Sequence, residues 1–185
     1  MLVSRNVPLI FIRLLAYWYK YQSLLIKWGN CISADFSVSN GVRQGSVLSP
    51  YLFCIYVDKI SERLNRARIG CKVKEIIINH LFYADDLCVF SPSSKGLQTL
   101  LNICSACANE LNIIFNESKC KIMVFKSTLY RNCVTPDFRL GLHTLINECV
   151  SYKYLRHFIS NNHSDNLDIY RQCRYIYAKG NTLIR

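Results

Sequence analysis

No acidic side chain occurs among the first thirty residues, which carry Arg5, Arg13, Lys20 and Lys27. No apolar run approaches the roughly 18–20 residues that a membrane span requires. Val7 to Ile12 is apolar until Arg13 interrupts it, and Leu14 to Tyr19 is closed by Lys20. A small-residue cleavage site after an apolar segment is also lacking, so this stretch reads as an amphipathic core helix and not as a signal or anchor. There is no internal repeat and no low-complexity tract, which leaves a globular reading. Acids are scarce throughout. Twelve stand against 23 basic residues in 185, a formal charge of +11. That excess favours a polyanionic partner, with nucleic acid first and an anionic membrane surface as the competitor.

A second close Cys/His pair at zinc-finger spacing is missing as well, although there are ten cysteines. They are spread almost evenly and mostly replace aliphatic residues inside apolar runs, as in Leu52-Phe53-Cys54-Ile55 and Leu87-Cys88-Val89-Phe90. This is the pattern of free thiols used as small hydrophobes in a reducing compartment, and so of an intracellular, non-secreted chain, nuclear or cytoplasmic. The one C-x-x-C, Cys104 with Cys107, falls in a helical pattern whose face contains Leu97, Leu100, Leu101, Cys104, Ala108 and Leu111, with Cys107 at the edge. A structural zinc site on that pair is a rival reading.

The chain is 51% hydrophobic, enough for a real core in one domain, or one domain plus part of another. Val7 to Lys27 reads as helix, with Pro8 suited to its first turn. Gly29-Asn30 is a turn, Cys31 to Ser39 a strand, and Asn40-Gly41 another turn. Ser49-Pro50 starts a helix, with Ser49 as N-cap and Pro50 at the first helical position. Phe53, Tyr56, Val57, Ile60 and Leu64 follow at helical spacing. Val73 to Ile78 and Leu81 to Phe90 read as strands. A helix spans about Lys95 to Leu111, and Ile113 to Phe115 and Ile122 to Phe125 are short strands. After a connection from Thr128 to Asp137, a small β segment runs to about Ile159. A final basic helix spans Leu167 to Leu183. The order predicts an α+β fold, an antiparallel sheet with helices on one face.

The densest chemistry lies in His80-Leu81-Phe82-Tyr83-Ala84-Asp85-Asp86-Leu87-Cys88-Val89-Phe90. Adjacent carboxylates repel, and burying them unpartnered costs several kcal/mol. Two acids presented at a turn between apolar strands suit a hard cation such as Mg²⁺, while a plain solvated turn would also tolerate them. Upstream lies Asn40-Gly41-Val42-Arg43-Gln44-Gly45, running into Leu48-Ser49-Pro50. Its glycines allow close backbone approach, Arg43 can hold phosphate bidentately, and Gln44 can donate to and accept from a base or sugar.

Together these segments resemble the reverse transcriptases of non-LTR (LINE-type) retrotransposons. Asn40 to Gly45 with Leu48-Ser49-Pro50 is similar to that family's second conserved block, and Phe82-Tyr83-Ala84-Asp85-Asp86 to the third, its catalytic hairpin. Asn116-Glu117-Ser118-Lys119 resembles the fourth block. Tyr152-Lys153-Tyr154-Leu155 resembles the fifth, the primer grip, with Arg156 where the family has Gly. Asp168 to Arg174 resembles the start of the thumb. The resemblance implies a partial polymerase palm over 1–130 and a primer-grip-like β segment with the start of a thumb helix over 131–185. It implies RNA-directed DNA synthesis from an RNA template, a DNA primer and dNTPs, with no membrane partner and with Mg²⁺ or Mn²⁺ as cofactor only where a further carboxylate, absent from this sequence, is supplied. Asp85 and Asp86 would be metal ligands and catalytic. Gly41, Arg43, Gln44, Gly45 and Tyr83 would contact template, primer end or nucleotide, and Lys119 would assist the leaving pyrophosphate.

The family's first block supplies a further metal-binding aspartate, and no Ala-Phe-Asp pattern occurs here. Met1 to Val7 contains no acid, and Asp35 lacks the surrounding pattern. Two adjacent carboxylates make a poor two-metal site. The expectation is therefore a truncated palm, inactive by itself, with a sheet edge left unpaired. A noncatalytic, basic nucleic-acid-binding remnant is the alternative.

Overall fold

The computed structural model describes residues 1–38, 41, 45–127, 134–141 and 144–183. These form a mixed α/β arrangement with four α-helices and small, mostly antiparallel sheets. They group into two compact units, Met1–Phe90 and Ser91–Arg185.

In the first unit a short 3-10 turn, Val3–Arg5, precedes helix α1, Leu9–Lys20. Pro8 sits in extended backbone just before the helix, where a missing N–H costs nothing. None of the α1 residues is buried, which corrects the core-helix reading. The helix also stops seven residues before Lys27. The reason is a nested pair of hairpins. Strands β1 (Ser23–Leu24), β2 (Lys27–Trp28), β3 (Cys31–Ile32) and β4 (Phe36–Ser37) pair as β2 with β3 inside and β1 with β4 outside. Gly29, at φ 59°, turns the inner pair. Short apolar runs such as Leu24-Leu25-Ile26 do not distinguish helix from strand by period, and pairing partners decide. The single strand expected over Cys31 to Ser39 is likewise divided in two.

Helix α2 spans Ser49–Ala67 with Leu48 at the N-cap position, one residue earlier than the sequence indicates, and with Pro50 in its first turn. Val57, Ile60 and Leu64 are buried along one stripe as the period requires, whereas Tyr56 is exposed. Arg5 on the 3-10 turn is ion-paired to Asp58. Next come β5 (Cys71–Val73) and β6 (Ile76–Ile78), which pair antiparallel around Lys74-Glu75. Lys74 takes φ 54°, so the strand expected from Val73 to Ile78 folds back on itself. β7 (His80–Tyr83) and β8 (Asp86–Val89) close the unit.

In the second unit α3, Ser94–Glu110, begins where the Ser93 hydroxyl accepts from the Gly96 N–H at 3.2 Å. Its buried face comprises Gly96, Leu100, Leu101, Cys104, Cys107 and Ala108. Cys107 therefore lies within that face and not at its edge. Strands β9 (Lys121–Ile122), β10 (Phe138–Leu140) and β11 (Thr144–Glu148) form a sheet in the order β10-β11-β9, with β9 parallel to β11. Leu101, Ile122, Phe138 and Ile146 form its core, each contributing about 1.5–3 kcal/mol by burial. Gln98 clamps α3 to β10, donating to the Arg139 carbonyl at 2.8 Å and accepting from the Arg139 N–H at 2.9 Å. Ile113 to Phe115 is irregular, not strand. β12 (Ser151–Tyr154) and β13 (His157–Ser160) make a hairpin, followed by α4, Asn166–Leu183. Among the described residues the strands form five two-stranded ladders and one three-stranded sheet, not one continuous sheet. No described helix is long and apolar enough to cross a membrane.

Candidate active site

The acidic hairpin pairs His80 with Val89, Leu81 with Cys88, Phe82 with Leu87 and Tyr83 with Asp86. A two-residue turn, Ala84-Asp85, is left at the tip. Alternation puts His80 and Phe82 on a half-buried face, with Leu81 and Tyr83 on the exposed one. Tyr83 is 63% exposed, and Asp85 and Asp86 are both exposed. Water solvates these carboxylates, so their adjacency is tolerated without a buried partner. Ala84 adopts φ 51°, a left-handed conformation that costs an L-residue other than glycine about 1–2 kcal/mol. The two hard oxygen donors suit Mg²⁺ or Mn²⁺, which bind through one or two carboxylates and complete their shells with water and phosphate. Among the described residues no group of three or more His, Cys, Asp or Glu side chains converges to hold a metal.

The base of the hairpin is tied to α2. The Asn79 side chain, 2% exposed, reaches the Leu64 carbonyl at 2.6 Å and His80 Nδ1 at 2.6 Å. His80 Nε2 lies 2.7 Å from the Ser61 hydroxyl. Burial holds the His80 pKa below its ordinary value. Nothing in the spacing of Ser61 and His80, nineteen residues apart, announces this network.

Of the glycine loop, Gly41 and Gly45 are described, at φ 91° and 81°. No described atom lies within 4 Å of an added Cβ at either position, and both take backbone angles that favour glycine. Arg43 and Gln44, with Asn40, lie outside the described residues.

Lys119 lies in the second unit, exposed, in a turn where its N–H donates to the Asn116 carbonyl at 3.1 Å. The Tyr152 hydroxyl donates to the Lys119 carbonyl at 3.1 Å, joining the Asn116–Lys119 segment to the β12–β13 hairpin. The turn of that hairpin is Leu155-Arg156, at φ 47° and 71°. A second cluster, missed by the sequence reading, locks this hairpin to α4. Asp168 Oδ1 accepts from the Phe158 N–H at 2.9 Å and from Arg171 at 3.0 Å, while Oδ2 meets His157 Nδ1 at 2.8 Å. Arg171 also donates to the Arg156 carbonyl. The Phe158 N–H foremost, then His157, with Arg171 adding to them, holds the Asp168 carboxyl well below the usual carboxylate range. Further along α4, Arg174 lies 5.9 Å from the Tyr170 ring and Lys179 5.8 Å from the Tyr175 ring.

Among the described residues no third His, Cys, Asp or Glu side chain joins Cys104 and Cys107 in a metal-ligating group. Cys104 and Cys107 are 2% and 0% exposed. Burial, with Cys107 alongside, pushes the Cys104 pKa up to about 12, which favours the neutral thiol in the metal-free chain. The nine cysteines among the described residues are all free.

Residues 6–172 match the family described as Reverse transcriptase (RNA-dependent DNA polymerase). The retrovirus-related Pol polyprotein from type-2 retrotransposable element R2DM of Drosophila melanogaster is 34% identical over 101 residues, 55% of this chain and 10% of that protein. The probable RNA-directed DNA polymerase from transposon X-element of the same fly is 28% identical over 142 residues, 74% and 15% of the two chains. The RNA-directed DNA polymerase from mobile element jockey of Drosophila funebris is 27% identical over 154 residues, 80% and 16%. The chain thus spans between a tenth and a sixth of the length of these curated relatives.

Proposed function

Because the chain belongs to the reverse transcriptase family, of the type carried by non-LTR retrotransposons, we propose that its acidic hairpin is the metal-binding end of a site for RNA-directed DNA synthesis. The observation that carries this reading is the register Tyr83↔Asp86, which leaves Asp85 at the tip of a tight turn and both carboxylates in solvent beside an exposed tyrosine.

In this reading Asp85 and Asp86 supply the oxygen ligands for Mg²⁺ or Mn²⁺, a cofactor class that the family uses generally. A bound divalent ion supplies charge neutralisation at phosphoryl oxygens and acidifies a primer 3′-hydroxyl. Tyr83, on the same face as Asp86, packs against the primer end. Gly41 and Gly45 bend the loop so that Arg43 and Gln44 engage the phosphate and base of template or dNTP. Lys119 neutralises charge on the departing pyrophosphate. RNA template, DNA primer and dNTP are the partners. Functionally, 1–130 serves as the palm portion and 131–185 as a primer-grip-like segment leading into the thumb. Two carboxylates alone hold metal weakly, so this chain by itself extends primers poorly unless a third carboxylate is supplied.

Primer extension on an RNA template with Mg²⁺ or Mn²⁺ tests the reading. Weak extension, or extension gained on adding the rest of a palm in trans and lost in Asp85→Asn, supports it. Extension indifferent to Asp85→Asn refutes it. The second reading, a noncatalytic nucleic-acid binder, draws on the +11 charge and on the Arg174 and Lys179 cations over exposed tyrosines of α4. RNA binding that weakens steeply with salt, survives Asp85→Asn and comes with no synthesis under any condition would favour it.

A further inference from the structure

The base of the acidic hairpin carries a chain of hydrogen bonds whose direction is fixed from one end. The Leu64 carbonyl can only accept, so the Asn79 amide nitrogen donates to it across 2.6 Å. The Asn79 amide oxygen is thereby turned toward His80. It must accept, so His80 Nδ1 carries the proton across their 2.6 Å contact. In a neutral ring Nε2 is then an acceptor, and the Ser61 hydroxyl donates to it at 2.7 Å. Every member is satisfied in one arrangement, and the partly buried site favours the neutral ring.

The chain has two anchors on α2, Ser61 and Leu64, three residues apart and so on one face of the helix. At its other end, the Phe90 N–H donates to the Asn79 carbonyl at 2.8 Å, which closes the open end of the β7–β8 hairpin. Gly70 makes room for the arrangement, since a Cβ there would fall 2.6 Å from both the Asn79 Cβ and the Ile78 oxygen. From this base, a four-residue strand projects the acids about 13 Å outward. By simple leverage, a 10° swing at the base would move the tip by about 2 Å, on a scale where 1 Å of misplacement costs about a hundredfold in rate.

We propose that Ser61, His80 and Asn79 act as a positioning relay, which fixes the acidic hairpin to α2 and aims Asp85 and Asp86. The proposal rests on the reading of that hairpin as a metal-binding end. The three residues touch no substrate, and they act only through the hairpin that they hold.

The experiment uses the whole chain labelled with ¹⁵N. The imidazole of His80 is expected as the Nδ1–H tautomer, with Nε2 unprotonated. An Nε2–H tautomer overturns the relay, and this measurement needs no variant. Mn²⁺ is then titrated while broadening at the Asp85 and Asp86 amides is followed, and exchange of the Phe90 amide is measured. Ser61→Ala is expected to weaken the Mn²⁺ effect and to speed Phe90 exchange, each by about fivefold, as for one lost hydrogen bond. Ser61→Thr, which keeps the hydroxyl, is expected to restore both. Wild-type values in Ser61→Ala, or failure of Ser61→Thr to restore them, overturn the relay. Mn²⁺ broadening that is absent from the wild type or indifferent to Asp85→Asn overturns the metal reading instead. The tautomer and the Phe90 exchange then still decide whether the relay pins the hairpin.

Discussion

Replacing Ala84 with glycine should make the acidic hairpin more stable and a worse ligand. Ala84 is exposed and sits at φ 51° in the first central position of a two-residue turn, where II′ hairpins favour glycine. Its left-handed conformation costs about 1–2 kcal/mol, a penalty that glycine does not carry. Glycine gives back roughly 0.4–1 kcal/mol through the greater freedom of the unfolded chain. The exposed methyl contributes little packing to offset this. The net gain is about 0.5–1 kcal/mol, a factor of roughly 2–5 in the equilibrium for opening the hairpin. Amide exchange across the Tyr83–Asp86 pair should slow by that factor. The same change frees the tip to sample orientations that the alanine forbids, so Mn²⁺ affinity should fall by about twofold or more. Faster exchange in Ala84→Gly would show that the left-handed alanine is not a source of strain. Tighter Mn²⁺ binding alongside slower exchange would show that stiffness at the tip plays no part in holding the ion.

The Leu155-Arg156 turn carries two left-handed residues other than glycine. Arg156→Gly should therefore stabilise the β12–β13 hairpin by about 0.5–1 kcal/mol, read as slower exchange of its amides, because the hydrogen bond from Arg171 goes to the Arg156 backbone carbonyl and is kept. The Asp168 cluster predicts an acid-labile junction. The carboxyl titrates lower in the folded chain than in the unfolded one, so its contribution is complete above about pH 4 and is lost as the pH falls from there toward the folded value. Protection of the Phe158 amide, measured against its intrinsic exchange rate at each pH, should fall over that range, and Asp168→Asn should remove that pH dependence of protection. A pH-independent protection of Phe158 in the wild type would refute the assignment.

Local regularity made much of this molecule legible without coordinates. The period of Val57, Ile60 and Leu64 located the buried stripe of α2, and Leu100, Leu101, Cys104 and Ala108 did the same for α3. The Asp-Asp pair between two apolar runs announced the hairpin to within a residue of its observed ends. Reading failed where a segment had two local options. Leu24-Leu25-Ile26 continued a helical period, yet the Gly29 turn drew the flanking residues into nested hairpins. Ile76 to Ile78 extended an apolar run, yet Lys74 could turn the chain back on Cys71 to Val73.

The sequence by itself determined the family and the position of the two acids, because both are written in contiguous residues whose chemistry and spacing suffice. Only the tertiary structure decided which residues distant in the chain become partners. Ser61 meets His80 across nineteen residues, Asp168 gathers Phe158, His157 and Arg171, and β9 runs parallel to β11 from more than twenty residues away. Such partners are selected by the free energy of the assembled unit, in which a buried polar atom must find a complement wherever the chain brings one, and no local rule of spacing records that choice.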